Sequence, residues 1–373
     1  MAPKRTKENA DLPVSSKDLK SFRTQIDQLD LKILELINQR AELASRIGKV
    51  KSANNESVFS PAREEEVISN VLSANDGPLP EVTIRAIYRE IISGSRALQK
   101  IDRVAYLGPE YSFSYLAALH RFGRASELVG VSNIAAVFEE VEREHVDYGV
   151  VPLENSTDGR VADTLDMFVR MPEIKICSEV RLRVHHNLLA NGEQAEIRRV
   201  YSKPQALSQC RNWLAKNLPQ ASLHEVTSTT AAAEIVKTTP GSAAVASREA
   251  AVQFGLKILF TSIEDSPHNE TRFAVIGSHA ADRTGNDKTA IMFMIPHSPG
   301  ALADILNEFK KNKVNMTWIE SYPYPQAKGE YVFFVDFDGH SEDLKVKKTL
   351  NSLAKQCHTF HNLGSYPVAS LVE

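Results

Sequence analysis

A chain of 373 residues exceeds what one ordinary hydrophobic core organises and points to two or three domains. With 42% hydrophobic and 24% charged residues and a formal net charge of −3, it is globular in composition and lacks the basic excess that nucleic acid or an anionic membrane would attract. Small molecules are the expected partners. Cys177, Cys210 and Cys357 are odd in number and far apart without CxxC spacing, which argues against a disulfide framework or a zinc site and fits a reducing cytoplasm.

Residues 1–14 are polar, include Glu8 and Asp11, and lack the apolar core of a signal peptide; a disordered tail is expected there. No apolar run is long enough to span a bilayer. From Phe22 onward, Phe22, Ile26, Leu29, Ile33, Leu36, Arg40, Leu43, Ile47 and Val50 step by four and three, the spacing of one helix face. A helix over residues 16–52 would be roughly 55 Å long, about twice the ~26 Å diameter of a compact 100-residue domain. It needs a second chain to pack on, so an intertwined homodimer is expected.

Ser60 as cap and Pro61 at the first position open a second helix, whose apolar face is Val67, Ile68, Val71 and Leu72. Arg63 and Glu64 lie one turn earlier on that side. A third helix carries Ile84, Ile87, Tyr88, Ile91 and Ile92, and its stripe runs on into Ser95, Leu98 and Gln99. All three helices thus place polar groups at apolar positions. Arg40 and Lys51 fall about 20° from one face and ~16 Å apart along the axis, so their side chains can bracket a small anion.

Residues 15–101 resemble the all-helical chorismate mutases: Arg23, Arg40, Lys51, Arg63, Glu64, Ser95 and Gln99 stand at that family's active-site positions. The resemblance implies that Arg40 and Arg23 of the partner subunit hold substrate carboxylates. It also implies that Lys51 and Gln99 face the ether oxygen of the breaking C–O bond, with Arg63, Glu64 and Ser95 completing the site. Ser60 stands where the family often has an acid. A pericyclic rearrangement needs no nucleophile or base; it is accelerated by holding a compact conformer and stabilising charge on oxygen.

Over residues 103–283 short apolar strands alternate with helices, the α/β signature. RVAYLG leads to GPEYSFSYLAALHRF, RVYS to PQALSQCRNWLAKN, HEVTS to TTAAAEIVK and AAVAS to REAAVQFG. Nearly every strand-to-helix junction carries Ser, Thr, Asn or Gln. Ligands of open α/β sheets lie beyond the carboxyl ends of the strands, where helix N-termini favour anions; Ser228 and Thr229 alone read as ordinary caps. His185 and His186 point to opposite faces of a strand, cannot share a metal, and read as structural. HNETRF at 268–273 supplies Thr271 and a cation, Arg272. GxGxxG, GxxxxGK[ST], HExxH and GxSxG are absent.

GPEYSFS, GVVPLENSTDGRV, VYSKPQALSQC, TSTTAAAE and HNETRF, in that order, resemble prephenate dehydratase. The resemblance implies a two-lobed α/β fold like the periplasmic binding proteins, with substrate between the lobes. Asn155, Ser202 and Gln209 would position it and Arg272 would bind a carboxylate. Thr271 would assist the departing hydroxyl, either as an oriented hydrogen-bond donor or as a proton source. Loss of carbon dioxide and hydroxyl makes the substrate ring aromatic, so no base is required. Tyr111 replaces a glycine of the first motif.

Residues 287–368 read as βαββαβ, a ferredoxin-like unit. PGALADIL and WIESYP resemble an ACT domain, which implies a phenylalanine site formed by backbone groups near Gly300, Ala301 and Leu302 and near Glu320 and Ser321. Tyr322 stands where the family commonly has arginine. The whole chain is accordingly identified as a member of the bifunctional chorismate mutase and prephenate dehydratase family, with domains at 15–101, 103–283 and 287–368. The expected protein is a cytoplasmic homodimer or higher oligomer without metal or cofactor. It would convert chorismate to prephenate and prephenate to phenylpyruvate in phenylalanine biosynthesis, under phenylalanine feedback. Two alternatives stay open: an α/β domain that senses a carboxylate without turning it over, and arogenate as dehydratase substrate.

Overall fold

The structure, a computed structural model, describes residues 16–54, 58–324 and 330–372; the tail expected at 1–14 lies outside them. α1 (Ser16–Ala53) runs unbroken for 38 residues, roughly 57 Å at ~1.5 Å per residue. Its seam is uncovered within one chain, Phe22 being 54% and Leu36 63% exposed. α2 (Pro61–Ser73) begins as its sequence dictates: the Ser60 hydroxyl accepts from the Arg63 N–H at 3.4 Å and Pro61 occupies the first turn. α3 (Glu81–Ala97) packs on the C-terminal half of α1. Gly48 of α1 is buried beneath Gln99, and any Cβ there would overlap that side chain.

The α/β region forms two lobes. The first contains β1 (Arg103–Leu107), α4 (Phe113–Phe122), β2 (Glu127–Val131), α5 (Ile134–Glu142), β3 (Tyr148–Asn155), β4 (Gly159–Arg160), α6 (Ala162–Arg170) and β5 (Lys175–Arg183). The second contains β6 (Asn187–Ala190), β7 (Arg199–Ser202), α7 (Pro204–Gln209), α8 (Arg211–Asn217), β8 (Ser222–Glu225), α9 (Thr229–Thr238), β9 (Ser242–Ala246), α10 (Arg248–Phe254) and β10 (Lys257–Phe260). The chain then returns to the first lobe as β11 (Glu270–Gly277). It crosses between lobes twice, at 184–186 and 261–269. The second lobe's sheet runs β10-β6-β9-β7-β8.

The last unit follows as β12 (Asp287–Met294), α11 (Ala301–Asn312), β13 (Met316–Pro323), β14 (Tyr331–Asp338), α12 (Leu344–Gln356) and β15 (Thr359–Pro367). Its antiparallel order β13-β14-β12-β15 is the split βαββαβ arrangement. One face of this sheet packs on its own helices through Ile291, Phe293, Val335 and Phe337. The other face, through Met292, Phe334 and Tyr366, shares a core with the first lobe. Gly364, at φ +136°, lets β15 lie against the β5 backbone at Ile176, where a Cβ would collide. Beyond the expected boundary at 368, β16 (Leu371–Val372) pairs with β5, so the first lobe's sheet runs β16-β5-β11-β3-β1-β2 with β4 on β3.

Arg96 fastens the helices to the first lobe. Its guanidinium pairs with Glu64 and, at 2.6 Å, with Asp102, and donates to the Phe122 carbonyl at 2.7 Å. Phe59 stacks beneath it against Phe122 and Tyr148. Burial pushes the Asp102 carboxyl up to about 6, although Arg96 pulls it down. Between its ordinary value of 3.8 and about 6, the folded state therefore binds a proton that the unfolded chain does not, so this group favours folding as pH falls through that window. Arg96→Leu strands a buried carboxylate and should lower stability by about 3–5 kcal/mol at pH 8. The loss should shrink at pH 5, where Asp102 is neutral; urea unfolding at the two pH values measures it.

Candidate active sites

Within the helices, Arg40 of α1 and Ser95 of α3 meet. Arg40 Nη1 donates to Ser95 Oγ at 2.8 Å, and Gln99 Nε2 donates to the Ser95 carbonyl at 3.5 Å. Lys51 is half-buried about three turns further along α1. Arg23 is exposed and 17 residues from Arg40, about 26 Å along the axis, so it cannot reach the same site in its own chain. Arg63 and Glu64 are not brought to this group. Arg63 turns to solvent and pairs with Glu66 at 2.6 Å, while Glu64 pairs with Arg96 and, at 2.8 Å, with Arg121 of α4. Two arginines at the boundary with the α/β region need a counter-ion, and Glu64 supplies it.

A cleft of about 890 Å³ lies between the two lobes. Three helices open on it, with their first turns satisfied by capping side chains. Ser112 accepts from Tyr115 N at 3.3 Å, Asn133 from Ala136 N at 2.8 Å and Ser228 from Ala231 N at 2.9 Å. The remaining N–H groups and the positive dipole ends make this wall favourable to carboxylates. Lys203 is the one lysine or arginine among the described lining residues.

The floor comes from strand pairing. Thr271 of β11 stands opposite Asn155 of β3, and Arg272 opposite Glu154. Because side chains alternate along a strand, Asn155 and Thr271 share the cleft face while Glu154 and Arg272 share the other. Asn155 Nδ2 donates to Thr271 Oγ1 at 2.8 Å. Gln209, from the second lobe, donates from Nε2 to Asp158 at 2.9 Å and reaches Asn155 Oδ1 at 3.5 Å. His186 Nε2 and Gln209 Oε1 are 2.8 Å apart, and burial holds the His186 imidazole below its usual pKa, hence neutral. With its Oγ1 accepting from Asn155, Thr271 has its own proton to give to a ligand in the cleft.

The model of type II chorismate mutase matches residues 22–100 and that of prephenate dehydratase matches residues 104–281. A bifunctional chorismate mutase/prephenate dehydratase of Aquifex aeolicus is 44% identical over 361 residues, 95% of this chain and 99% of the relative. The chain belongs to the bifunctional chorismate mutase/prephenate dehydratase family. A Stutzerimonas stutzeri member is 43% identical over 95% of this chain and 98% of its own. Among solved structures, a prephenate dehydratase from Arthrobacter aurescens in complex with L-Phe superimposes with a TM-score of 0.67 at 33% identity, over 72% of this chain and 90% of that one. A structure described as GqqA, a quorum quenching acylase, gives 0.64 at 27% identity over 72% and 98%, so this fold is not confined to one activity.

Several residues singled out from the sequence lie elsewhere in this bifunctional family member. Arg272 is 7% exposed and does not line the cleft. It pairs with Glu179 at 2.8 Å and with Asp336 of β14, and donates to the Tyr366 hydroxyl at 2.8 Å. Burial opposes its charge, but these acceptors hold its pKa well above the usual arginine value. The cation at the cleft is Lys203, present in the quoted VYSKPQ stretch. Ser202 is fully buried and donates to the Val245 carbonyl at 2.6 Å, a tie between β7 and β9 rather than a cleft contact. His186, read from the sequence as structural, lines the cleft; Asn269, in HNETRF, bonds to both Asn155 and Gln209. Tyr111, where the family motif has glycine, sits at φ 65°, the left-handed region that glycine adopts without strain.

In the C-terminal sheet, Met294 of β12 and Tyr322 of β13 both stand opposite Val332 of β14. The start of α11 at Gly300, Ala301 and Leu302 therefore lies at the same end of the sheet as Glu320 and Ser321. Arg160 of β4, beside the Asn155 turn, pairs with Glu320 and donates to the Ser321 carbonyl at 3.2 Å. Among the described residues no helix is long and apolar enough to cross a membrane, and no group of three or more His, Cys, Asp or Glu is placed to hold a metal ion. Arg272→Lys should lower stability by about 2 kcal/mol while leaving the KM for prephenate within about twofold. A rise in KM of tenfold or more would mean that Arg272 contacts substrate after all.

Proposed function

We propose that the two activities of this family member occupy two separate places in the fold. Chorismate would be held by Arg40, Lys51, Ser95 and Gln99 together with Arg23 of the partner subunit, and rearranged to prephenate by confinement and charge stabilisation. Prephenate would then bind between the α/β lobes, its carboxylates against the helix N-termini and Lys203. The bond to the ring carboxylate breaks and leaves its electron pair in the ring as carbon dioxide departs. The C–O bond breaks with its pair on oxygen, and that oxygen takes a proton as water leaves. Thr271 donates its hydroxyl hydrogen to the departing oxygen and regains a proton from solvent as the products leave. The 2.8 Å contact in which Asn155 donates to Thr271 Oγ1 carries this reading, because it leaves the threonine proton as the one directed at substrate.

The remaining assignments follow from the same geometry. The uncovered seam of α1 supports an intertwined homodimer, and the βαββαβ sheet supports an ACT-type regulatory domain that takes phenylalanine near Gly300–Leu302 and Glu320–Ser321. Inhibition then requires that phenylalanine prefer a less active arrangement. Arogenate, with an ammonium in place of the keto group, is the second reading of the dehydratase substrate; the acidic residues Glu110, Asp158 and Asp163 along the cleft favour keeping it.

Incubation with chorismate, following prephenate and phenylpyruvate together, tests the assignment as a whole. Lys51→Ala should abolish chorismate consumption and spare turnover of added prephenate, and a folded variant that loses both would refute the two-site arrangement. Thr271→Val should lower dehydration by roughly 10²-fold or more, the size of a positioned donor; unchanged phenylpyruvate formation would remove Thr271 from the reaction. Ile33→Glu, which places a charge in the α1 seam, should shift the protein to monomers in sedimentation and remove mutase activity with it.

A further inference from the structure

Two ends of a hydrogen-bond chain in the dehydratase cleft have fixed polarity, and Asn269 joins them. At one end, Asn155 Oδ1 accepts from the backbone N–H groups of Thr157 at 3.0 Å and Asp158 at 3.1 Å. Backbone N–H groups only donate, so Asn155 Nδ2 must face the other way, toward Asn269 Oδ1 at 3.0 Å, the Glu270 carbonyl at 3.2 Å and Thr271 Oγ1 at 2.8 Å. At the other end, the Asp158 carboxylate accepts from Gln209 Nε2 at 2.9 Å. Gln209 Oε1 must therefore accept, and it does so from Asn269 Nδ2 at 2.9 Å and from His186 Nε2 at 2.8 Å.

Asn269 thus accepts on one side and donates on the other. It is 1% exposed and lies on the 261–269 crossover between the lobes. A carboxylate of the same shape accepts on both sides, and an apolar residue does neither. Asn155, Asp158 and Thr271 belong to the first lobe and Gln209 to the second, so this one side chain links the closure of the lobes to the direction of the Thr271 proton.

We propose that Asn269 is a positioning residue of the dehydratase site: its amide matches the fixed polarities of Asn155 and Gln209, ties the two together across the lobes, and so keeps Asn155 Nδ2 on Thr271 Oγ1, which leaves the Thr271 hydroxyl proton free for the departing oxygen. The proposal rests on the role of Thr271 given above. Asn269→Asp retains the shape but sets a carboxylate oxygen against Gln209 Oε1. Protonation of that carboxyl restores a donor on one oxygen and an acceptor on the other. The charged and titratable groups around position 269 are Glu264, Asp265, His268 and Glu270 on its own segment, with Arg181 paired to Glu270. Asp158 faces it through Gln209, and His185, bonded to Glu264, and His186 face it from the other crossover. Carboxylates outnumber cations here and the site is buried, so the introduced acid should protonate well above the ordinary aspartate range.

The experiment measures kcat and KM for prephenate in the full-length protein from pH 5.5 to 8.5, with mutase activity of the same preparations as the control for folding. Asn269→Asp should lower kcat roughly ten- to a hundredfold at pH 8 with KM within about threefold. Relative to the native chain it should recover at least about fivefold toward pH 5.5. Asn269→Leu, which cannot titrate, should stay low throughout. A kcat for Asn269→Asp within twofold of native, or a deficit equal at all pH values, overturns the proposal. Thr271→Val run in parallel separates the two readings: if it loses its rate while Asn269→Asp is flat with pH, only the role of Asn269 falls. If Thr271→Val keeps the native rate, the underlying reading falls as well.

Discussion

Two consecutive residues of β11 decide how this molecule is put together. β11 is hydrogen-bonded on both edges, to β3 and to β5, so its pleat is fixed and the side chains of Thr271 and Arg272 must point to opposite faces. Thr271 enters the cleft. Arg272 enters a buried seam, where its charge is tolerable only with acceptors around it. Glu179 comes from the same lobe, whereas Asp336 and Tyr366 come from the C-terminal sheet. The strand that carries the proposed proton donor is thereby bonded to the domain proposed to take phenylalanine. A shift of the C-terminal sheet would carry Asp336 and Tyr366 away and orphan a buried guanidinium, so movement of the two units is coupled.

The helical segment is attached by the same device, a buried arginine neutralised from both sides, but the mutase site proposed for it draws on two chains. The cleft assembles Asn155, Gln209 and Thr271 from one polypeptide, whereas Arg23 and Arg40 are too far apart on α1 to serve one small substrate. Rigidity is what makes this so: a straight 38-residue helix cannot fold back to bring its ends together. The exposed apolar seam and the separated arginines thus point to one requirement, a second helix alongside.

Much of this was legible in the residues. The four-and-three stepping of Phe22 to Val50 gives α1 its length and its unsatisfied face, and the βαββαβ pattern gives the last sheet. The quoted motifs locate Asn155, Gln209 and Thr271. Facing is what the pattern left ambiguous. Both faces of β11 are covered, one by the cleft and one by the C-terminal sheet, so polarity did not reveal which side held ligand; the period of two, applied from Thr271, would have sent Arg272 away. Glu64, expected in the mutase site, and Arg96, which no motif marked, acquire their pairing only when the α/β region is packed against them. Asn269 and Lys203 sat inside recognised motifs, but Asn269 finds its partners Asn155 and Gln209 far along the chain and Lys203 lines a cleft assembled from distant segments, which no local spacing encodes. The strand at Leu371–Val372 is too short to register as a pattern at all.

That short strand alters the standing of the C-terminal sheet within the chain. β11 and β16 both lie in the first lobe's sheet, on either side of β5, and the whole βαββαβ unit is spliced between them. Topologically it is an insert with both ends sewn into its host, not a pendant at the end of a linker. Cutting the chain after β11 would therefore take β16 from the edge of β5 at Arg181 and Leu182 and uncover the apolar face that Met292, Phe334 and Tyr366 shield. A dehydratase trimmed in that way would carry a bare apolar patch open to association with copies of itself.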